Sequence, residues 1–438
     1  MSNPIKPRVV QLITSQWLRD KRRGAAEKKR QKSKSPHSIT VYLRLNDPHS
    51  YLLLQVLTAF AERYPVHYDF RTILNLQPDM YPAPALWEKA AFADCRHLAE
   101  LYSLPFPEQP PQCDPERDRR LTSQLLHWEL QPGYLEHALP LFHAYWQGDA
   151  AQIDALVDRR ITDHGQCYDH HLQANEKLLK DSGHFFSALL HYSGEWYWGV
   201  DRLEHLERRL NDLGAHRTAT AEIHFNKTYT GFCSAPSPEG AKATSAIELY
   251  WSIRSPYSYI GLVRARQLAE HYGVVLEVKP VLPMVMRRMQ VPATKGFYFI
   301  KDAKREADKH GIPFGYVADP LGAGVERCYA LYSYAQSEGV GVAFLESYAR
   351  GVWSEGIRSD TDAGLRKLVE RVGLNWRHAQ QLLQDDRWRL WAQDNLAELY
   401  GHDLWGVPSL VYGQTKVFGQ DRIDRIERAI VNDLTTEN

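Results

Sequence analysis

Shifted by 208 positions, residues 39–106 fall on residues 247–314 without a gap. Tyr42 meets Tyr250, Pro48 meets Pro256, and Ser50-Tyr51 meets Ser258-Tyr259. Further along, Ala61-Glu62 meets Ala269-Glu270, Tyr64 meets Tyr272, Asp94 meets Asp302, and Pro105-Phe106 meets Pro313-Phe314. A second block registers at a shift of 220, where Tyr192 meets Tyr412, Gly199 meets Gly419, Asp201-Arg202 meets Asp421-Arg422 and Glu207-Arg208 meets Glu427-Arg428. A chain that repeats itself in this way folds as two copies of one unit, each about 180 residues and so of ordinary domain size.

The order of elements is the same in each copy. In the second, the pattern predicts a strand over 247–253, a helix over 256–272 and a strand over 274–281. A long helical stretch then runs to about residue 400. Ser409-Leu410-Val411-Tyr412 and Lys416-Val417-Phe418, joined through Gly413-Gln414, predict a hairpin, and a last helix starts near Asp421. Strand–helix–strand, helical insertion, hairpin–helix is an α/β layer with a helical subdomain beside it. The boundaries expected are a basic segment over 1–37, a first unit over 38–210, a linker over 211–245 and a second unit over 246–434. Ser234-Ala235-Pro236-Ser237-Pro238-Glu239-Gly240 gives the linker its composition. Glu222-Ile223-His224-Phe225, before it, is read as an extra strand.

Residues 1–37 hold eleven Lys or Arg against two acids, although the whole chain is formally neutral. Such a run either contacts an anionic surface or is a solvated tail, and the tail is the expectation. Neutrality elsewhere argues against a nucleic-acid binder, the basic segment apart. The five cysteines are scattered without a C-x-x-C, which suits a reducing compartment. Val9-Val10-Gln11-Leu12-Ile13 is too short for a signal h-region, and no run is long enough to span a bilayer, so a cytoplasmic protein without a membrane partner is expected.

The chemistry concentrates at Leu249-Tyr250-Trp251-Ser252-Ile253-Arg254-Ser255-Pro256-Tyr257-Ser258-Tyr259-Ile260. An apolar strand breaks at Ser255-Pro256, a helix start with Ser as N-cap and Pro in the first turn. Free N–H groups at that turn, with Ser255 and Ser258 on it, favour anions and thiolates.

This strand–Ser255-Pro256-Tyr257-Ser258–helix arrangement, with Gly406-Val407-Pro408 just before the hairpin, resembles the thioredoxin fold of the DsbA family. The likeness is to the branch of kappa-class glutathione transferases and 2-hydroxychromene-2-carboxylate isomerases. It is carried further by Val291-Pro292-Ala293-Thr294-Lys295-Gly296-Phe297-Tyr298, Gly311-Ile312-Pro313-Phe314, Val352-Trp353-Ser354-Glu355-Gly356 and Gly419-Gln420-Asp421-Arg422. The fold expected is therefore two tandem thioredoxin-like α/β domains, each with an inserted helical subdomain.

In dithiol oxidoreductases of this fold the positions of Ser255 and Ser258 are cysteines. With serine at both, the site has no thiol for disulfide exchange. A hydroxyl can instead donate to a thiolate brought in by a ligand. The resemblance implies that this ligand is glutathione, that Ser255 faces its sulfur, and that a cis peptide before Pro408 frees the Val407 backbone to pair with its peptide. Lys295 is the cation implied for one carboxylate, and the turn at Gln420-Asp421 the site for the γ-glutamyl end. Arg254, Ser258 and Tyr298 are the candidates on the side of a small aromatic substrate. Ser255 as a mere N-cap, Pro408 as a strand-entry proline and Lys295 as surface charge are the plainer readings.

Two features depart from the branch: Ser252 stands where relatives carry Asp, and Arg254 precedes the serine. The first copy loses the site, with Asp47 for Ser255, Trp87 for Lys295 and Ala188 for Pro408. A carboxylate at that place repels a thiolate, so this copy is expected to be structural. Relatives commonly pair, which leads to an intramolecular pseudo-dimer or a homodimer as the expected association. Met284-Val285-Met286-Arg287-Arg288-Met289 reads as core packing with a charged face, or as a pocket for an aromatic acceptor. His164, Cys167, His170 and His171 have helical spacing, but surface histidines are the expectation and no metal is predicted. The reading is a glutathione-dependent isomerase or transferase for an aromatic electrophile. A non-catalytic binding or scaffold protein is the alternative.

Overall fold

The computed structural model describes residues 5–81, 83–162, 168–217, 220–228, 232–235, 243–289 and 292–436. It divides into two compact units. The N-terminal unit is Arg22–Thr228, and the C-terminal unit is Tyr229–Asn438 together with Met1–Lys21.

The basic segment does not run as a solvated tail. It forms two helices, α1 (Ile5–Thr14) and α2 (Gln16–Ser33), and the division between the units falls within α2. In the C-terminal unit the buried Thr14 hydroxyl lies 3.3 Å from the Gly315 carbonyl, and Arg19 pairs with Asp308. In the N-terminal unit Arg23 makes a two-pronged pair with Glu195 at 2.7 and 2.8 Å. The positive charge in this segment is thus partly neutralised by acids of the folded units, which a count along the sequence does not reveal.

In the N-terminal unit β1 (His37–Leu43), α3 (Pro48–Arg63), β2 (Val66–Thr72) and α4 (Pro84–Tyr102) come first. Five helices follow: α5 (Pro115–Glu129), α6 (Tyr134–Gln147), α7 (Ala150–Leu156), α8 (Arg159–Thr162) and α9 (Asp169–Asp181). The hairpin β3 (Leu189–Tyr192) and β4 (Glu195–Trp198) leads to α10 (Leu203–Asp212). The sheet order is β2-β1-β3-β4, parallel between β1 and β2 and antiparallel elsewhere. Residues 222–225 are not a strand. The backbone N–H groups of His224 and Phe225 are drawn instead to the Glu207 carboxylate, at 3.0 and 2.8 Å.

The C-terminal unit repeats the plan with β5 (Ile247–Trp251), α11 (Pro256–Tyr272), β6 (Leu276–Pro280) and α12 (Ala293–Lys309). Its helical insertion comprises α13 (Ala323–Ser337), α14 (Gly341–Ser354), α15 (Asp362–Glu370), α16 (Trp376–Leu382) and α17 (Trp388–Gly401). The hairpin β7 (Ser409–Tyr412) and β8 (Thr415–Phe418) and the helix α18 (Ile423–Thr436) close it. Its sheet order, β6-β5-β7-β8, has the same parallel and antiparallel pairings. The chain is thus an α/β protein of two thioredoxin-like units.

Alternation along β5 explains how the site-bearing strand is held. Ile247, Leu249 and Trp251 enter the main core, while Tyr250 on the other face packs with Leu399, Leu404 and Val411. Both faces are covered at its C-terminal end, so Leu249-Tyr250-Trp251 reads as an unbroken apolar run after Glu248. Each such buried side chain contributes on the order of 1.5–3 kcal/mol. Where β5 ends, the Trp251 indole donates to the Ser258 carbonyl at 3.0 Å, tying strand to helix start.

Candidate functional site

Ser255 caps α11. Its hydroxyl oxygen accepts from the Ser258 N–H at 3.1 Å and donates to the Val407 carbonyl at 3.3 Å. The residue is partly exposed. Val407–Pro408 is a cis peptide, which brings that carbonyl opposite the first turn of α11; Val407 is partly exposed and Pro408 buried. The close approach depends on Gly261, where a Cβ would sit 3.2 Å from Pro408 Cβ and Cγ. A helix start, a part-exposed hydroxyl and the backbone of the cis-peptide loop therefore meet at one place.

Ser258 does not serve that place. It is fully buried, and its hydroxyl accepts from the Ser252 N–H at 3.3 Å. The N-terminal unit makes the same bond between Arg44 N–H and Ser50, at 3.1 Å. A bond present in both copies fastens the strand end to the helix, so a substrate-facing role for Ser258 is corrected to a structural one.

Gln420 also turns inward, in a short 3-10 turn over Gln420–Arg422. It is 1% exposed; its amide donates to Glu306 at 2.9 Å and its Oε1 accepts from Arg264 at 3.0 Å. Its side chain is therefore not offered to a ligand, because two buried charged groups hold it. Asp421 beside it remains partly exposed.

Lys295 is not surface charge. It is 6% exposed, with its ammonium 5.8 Å from the Phe299 ring centroid. Tyr298 is 8% exposed and lies beside Phe299. Arg254 is committed to a two-pronged pair with Asp319, at 3.0 and 3.1 Å.

Tyr257 and Phe299 were not singled out from the sequence, yet both partly exposed rings stand next to this place, 5.7 Å apart and edge to face. The Tyr257 hydroxyl donates to buried Asp302 at 2.8 Å, and Asp302 in turn holds Arg305. The repeat carried the signal: Asp302 aligns with Asp94, which faces His49, the counterpart of Tyr257, at 3.8 Å.

In the N-terminal unit the equivalent place is filled. The Asp47 carboxylate accepts from the N–H groups of His49 and Ser50, from the Ser50 hydroxyl at 2.7 Å, and from the Ser187 hydroxyl at 2.8 Å. Ser187 stands at the position of Val407. Where the C-terminal unit has Gly406 against Phe418, this one packs Phe186 against Trp198 at 4.8 Å and Trp87 at 5.6 Å, with the two indoles 6.1 Å apart.

Two other features of the C-terminal unit lie apart from this place. A cleft of about 560 Å³ is lined by Thr14, Lys304, Asp308 and residues 311–316, and none of the predicted site residues lines it. Glu248, Glu398 and His402 come together in metal-ligand geometry, but the Lys279 ammonium bonds both carboxylates and already supplies the positive charge. Of the histidine–cysteine group read from the sequence, His164 and Cys167 lie outside the described residues, and His171 pairs with Glu129 at 2.6 Å.

Residues 246–431 match the family model of the DSBA-like thioredoxin domain. Among curated proteins, the chain is similar to the 2-hydroxychromene-2-carboxylate isomerase of Sphingobium xenophagum. The two are 25% identical over 199 residues, 43% of this chain and 100% of that protein. The enzyme of the same name from Pseudomonas putida is 23% identical over 42% of this chain and 93% of its own length. A solved structure of a 2-hydroxychromene-2-carboxylate isomerase aligns at 21% identity over 44% of this chain and 97% of that one, with a TM-score of 0.39. No helix among the described residues is long and apolar enough to cross a membrane.

Proposed function

We propose that the C-terminal unit is a glutathione-dependent enzyme acting on an aromatic electrophile, an isomerase of the 2-hydroxychromene-2-carboxylate type or a related transferase. One observation carries this reading. The Ser255 hydroxyl, part-exposed at the α11 N-cap, faces the Val407 carbonyl at the cis Val407–Pro408 bond.

The residues present fit a thiol tripeptide: a hydroxyl and helix start for sulfur, a backbone edge for the peptide, and Lys295 and Asp421 for its charged ends. When bound, glutathione supplies a thiolate nucleophile that adds reversibly to an electrophilic carbon. The rest falls to the chain. Ser255 has one proton to give, now spent on Val407 in a long bond. It turns that proton to the sulfur and thereby frees the Val407 carbonyl to accept from a peptide N–H. The α11 terminus adds its field to the same anion. Tyr257 and Phe299 offer flat apolar faces to a planar acceptor. With serines at 255 and 258 the site has no dithiol of its own, so disulfide exchange is not part of this reading.

The test is a thermal-shift titration of the full chain with glutathione, coupled to turnover of 2-hydroxychromene-2-carboxylate. At 100 times its Kd, glutathione should add about 2.7 kcal/mol to stability. No shift at millimolar glutathione, with no turnover, would leave a non-catalytic binding protein as the better reading.

A further inference from the structure

The two copies provide an internal control for every buried side chain. Three positions that meet beneath the Gly419–Asp421 turn differ completely in character. In the C-terminal unit they are Arg264 on α11, Glu306 on α12 and Gln420 in the turn, all 2% exposed or less. Arg264 Nη1 donates to both the backbone oxygen and Oε1 of Gln420, and Gln420 donates onward to Glu306. Arg264 also stacks its guanidinium 4.8 Å from the Phe232 ring centroid. Its Nε and Nη2 have no hydrogen-bond partner among the described residues. In the N-terminal unit the same three positions are Val56, Leu98 and Val200, also buried.

The fold therefore also closes over three aliphatic side chains. Taking a guanidinium and a carboxylate out of water is costly, and replacing such a set by apolar residues commonly leaves a protein as stable or more so. Something other than folding accounts for the polar trio in the copy that keeps Ser255 and Pro408. Its geometry says what. Gln420 is pinned at its backbone oxygen and at both ends of its amide, which fixes the turn. Gly419 N–H donates to the Pro408 oxygen at 2.9 Å, as Gly199 N–H does to the Ala188 oxygen, so both copies tie the turn to the loop; what differs is that Asp201 after Val200 is buried while Asp421 after Gln420 is not. The partly exposed Asp421 is the next residue.

We propose that Arg264, Glu306 and Gln420 are positioning residues that hold Asp421 for the γ-glutamyl end of the peptide ligand, and so set the preference for glutathione over shorter thiols. This rests on the glutathione reading above. None of the three touches the ligand; they act through the turn they anchor.

The test transplants the apolar trio into the full chain as Arg264→Val, Glu306→Leu, Gln420→Val, and measures affinity for glutathione and for cysteinylglycine, which lacks the γ-glutamyl group. Wild type should bind glutathione at least about tenfold tighter than the dipeptide. The triple variant should keep its unfolding temperature and its affinity for cysteinylglycine while losing that preference, a loss of about tenfold for glutathione alone. Asp421→Asn, with the trio intact, should lose the preference in the same way. Retained preference in either variant overturns the proposal. Equal weakening toward both thiols, or a triple variant that does not fold, also overturns it, since the trio would then be a structural element. Wild type binding neither thiol would overturn the glutathione reading as well, and that outcome is distinct from the others.

Discussion

The Ser255 hydroxyl has one proton, given to the Val407 carbonyl at 3.3 Å, and in the proposed function an incoming thiolate competes for it. A long neutral bond is weak, and a charge-assisted one is worth about 1.5–3 kcal/mol, so the exchange runs toward the anion. Ser255→Ala should accordingly cut turnover about 10- to 100-fold while costing only about 1 kcal/mol of stability as a lost N-cap, a split measurable by kinetics and thermal denaturation. The field at the site can be read without glutathione. In Ser255→Cys the introduced thiol should titrate below the ordinary ~8.5, seen as an alkylation rate that saturates at lower pH. A thiol of ordinary pKa there would show that the helix start does not favour anions. In the other copy, burial pushes the Glu207 carboxyl up to about 7, against the pull of the Phe225 and His224 N–H groups and Arg63. Between the unfolded value near 4.5 and 7 the folded state keeps a proton that the unfolded chain has lost. Its contribution to stability thus falls as pH rises through that window. Glu207→Gln should raise the unfolding temperature at pH 8 more than at pH 5.

At the scale of elements, the contact between α11 and the cis-peptide loop is set by an exchange of bulk between the copies. Gly261 opposes Pro408 in one, and Leu53 takes the place of Gly261 with Ala188 for Pro408 in the other, all buried. Gly261→Leu alone should overpack this contact and destabilise the unit by about 1–3 kcal/mol. Adding Pro408→Ala should recover part of that in denaturant unfolding, while leaving the ligand site impaired. Element boundaries were legible where local chemistry fixes them. The Ser-Pro signal placed α11 at 256–272, and the Gly-containing turn placed β7 at 409–412, both as observed. What stayed hidden was the direction of polar side chains. Gln420 and Arg264 are held by contacts between elements far apart in the chain, which no local pattern announces. The basic segment failed to read as helix for a related reason: α2 has no buried side chain, so no apolar stripe announces it.

At the scale of the molecule, the duplication is what made the site legible, because a second copy with Asp47 and Trp87 shows which residues the fold can do without. The same comparison predicts where ligand is felt. Glutathione should slow amide exchange in α11, β7 and the Gly419–Asp421 turn, and leave α3, β3 and the Gly199–Asp201 turn unchanged. In the proposed function this chain lends a hydroxyl and a helix terminus to a sulfur that it does not own. Its most direct measurement is the thiol pKa of glutathione bound to the full chain, followed by thiolate ultraviolet absorbance. The value expected is about 1–2 units below the free thiol for wild type, with a return toward the free value in Ser255→Ala. An unshifted thiol on saturated wild type, or one shifted equally in Ser255→Ala, would contradict it.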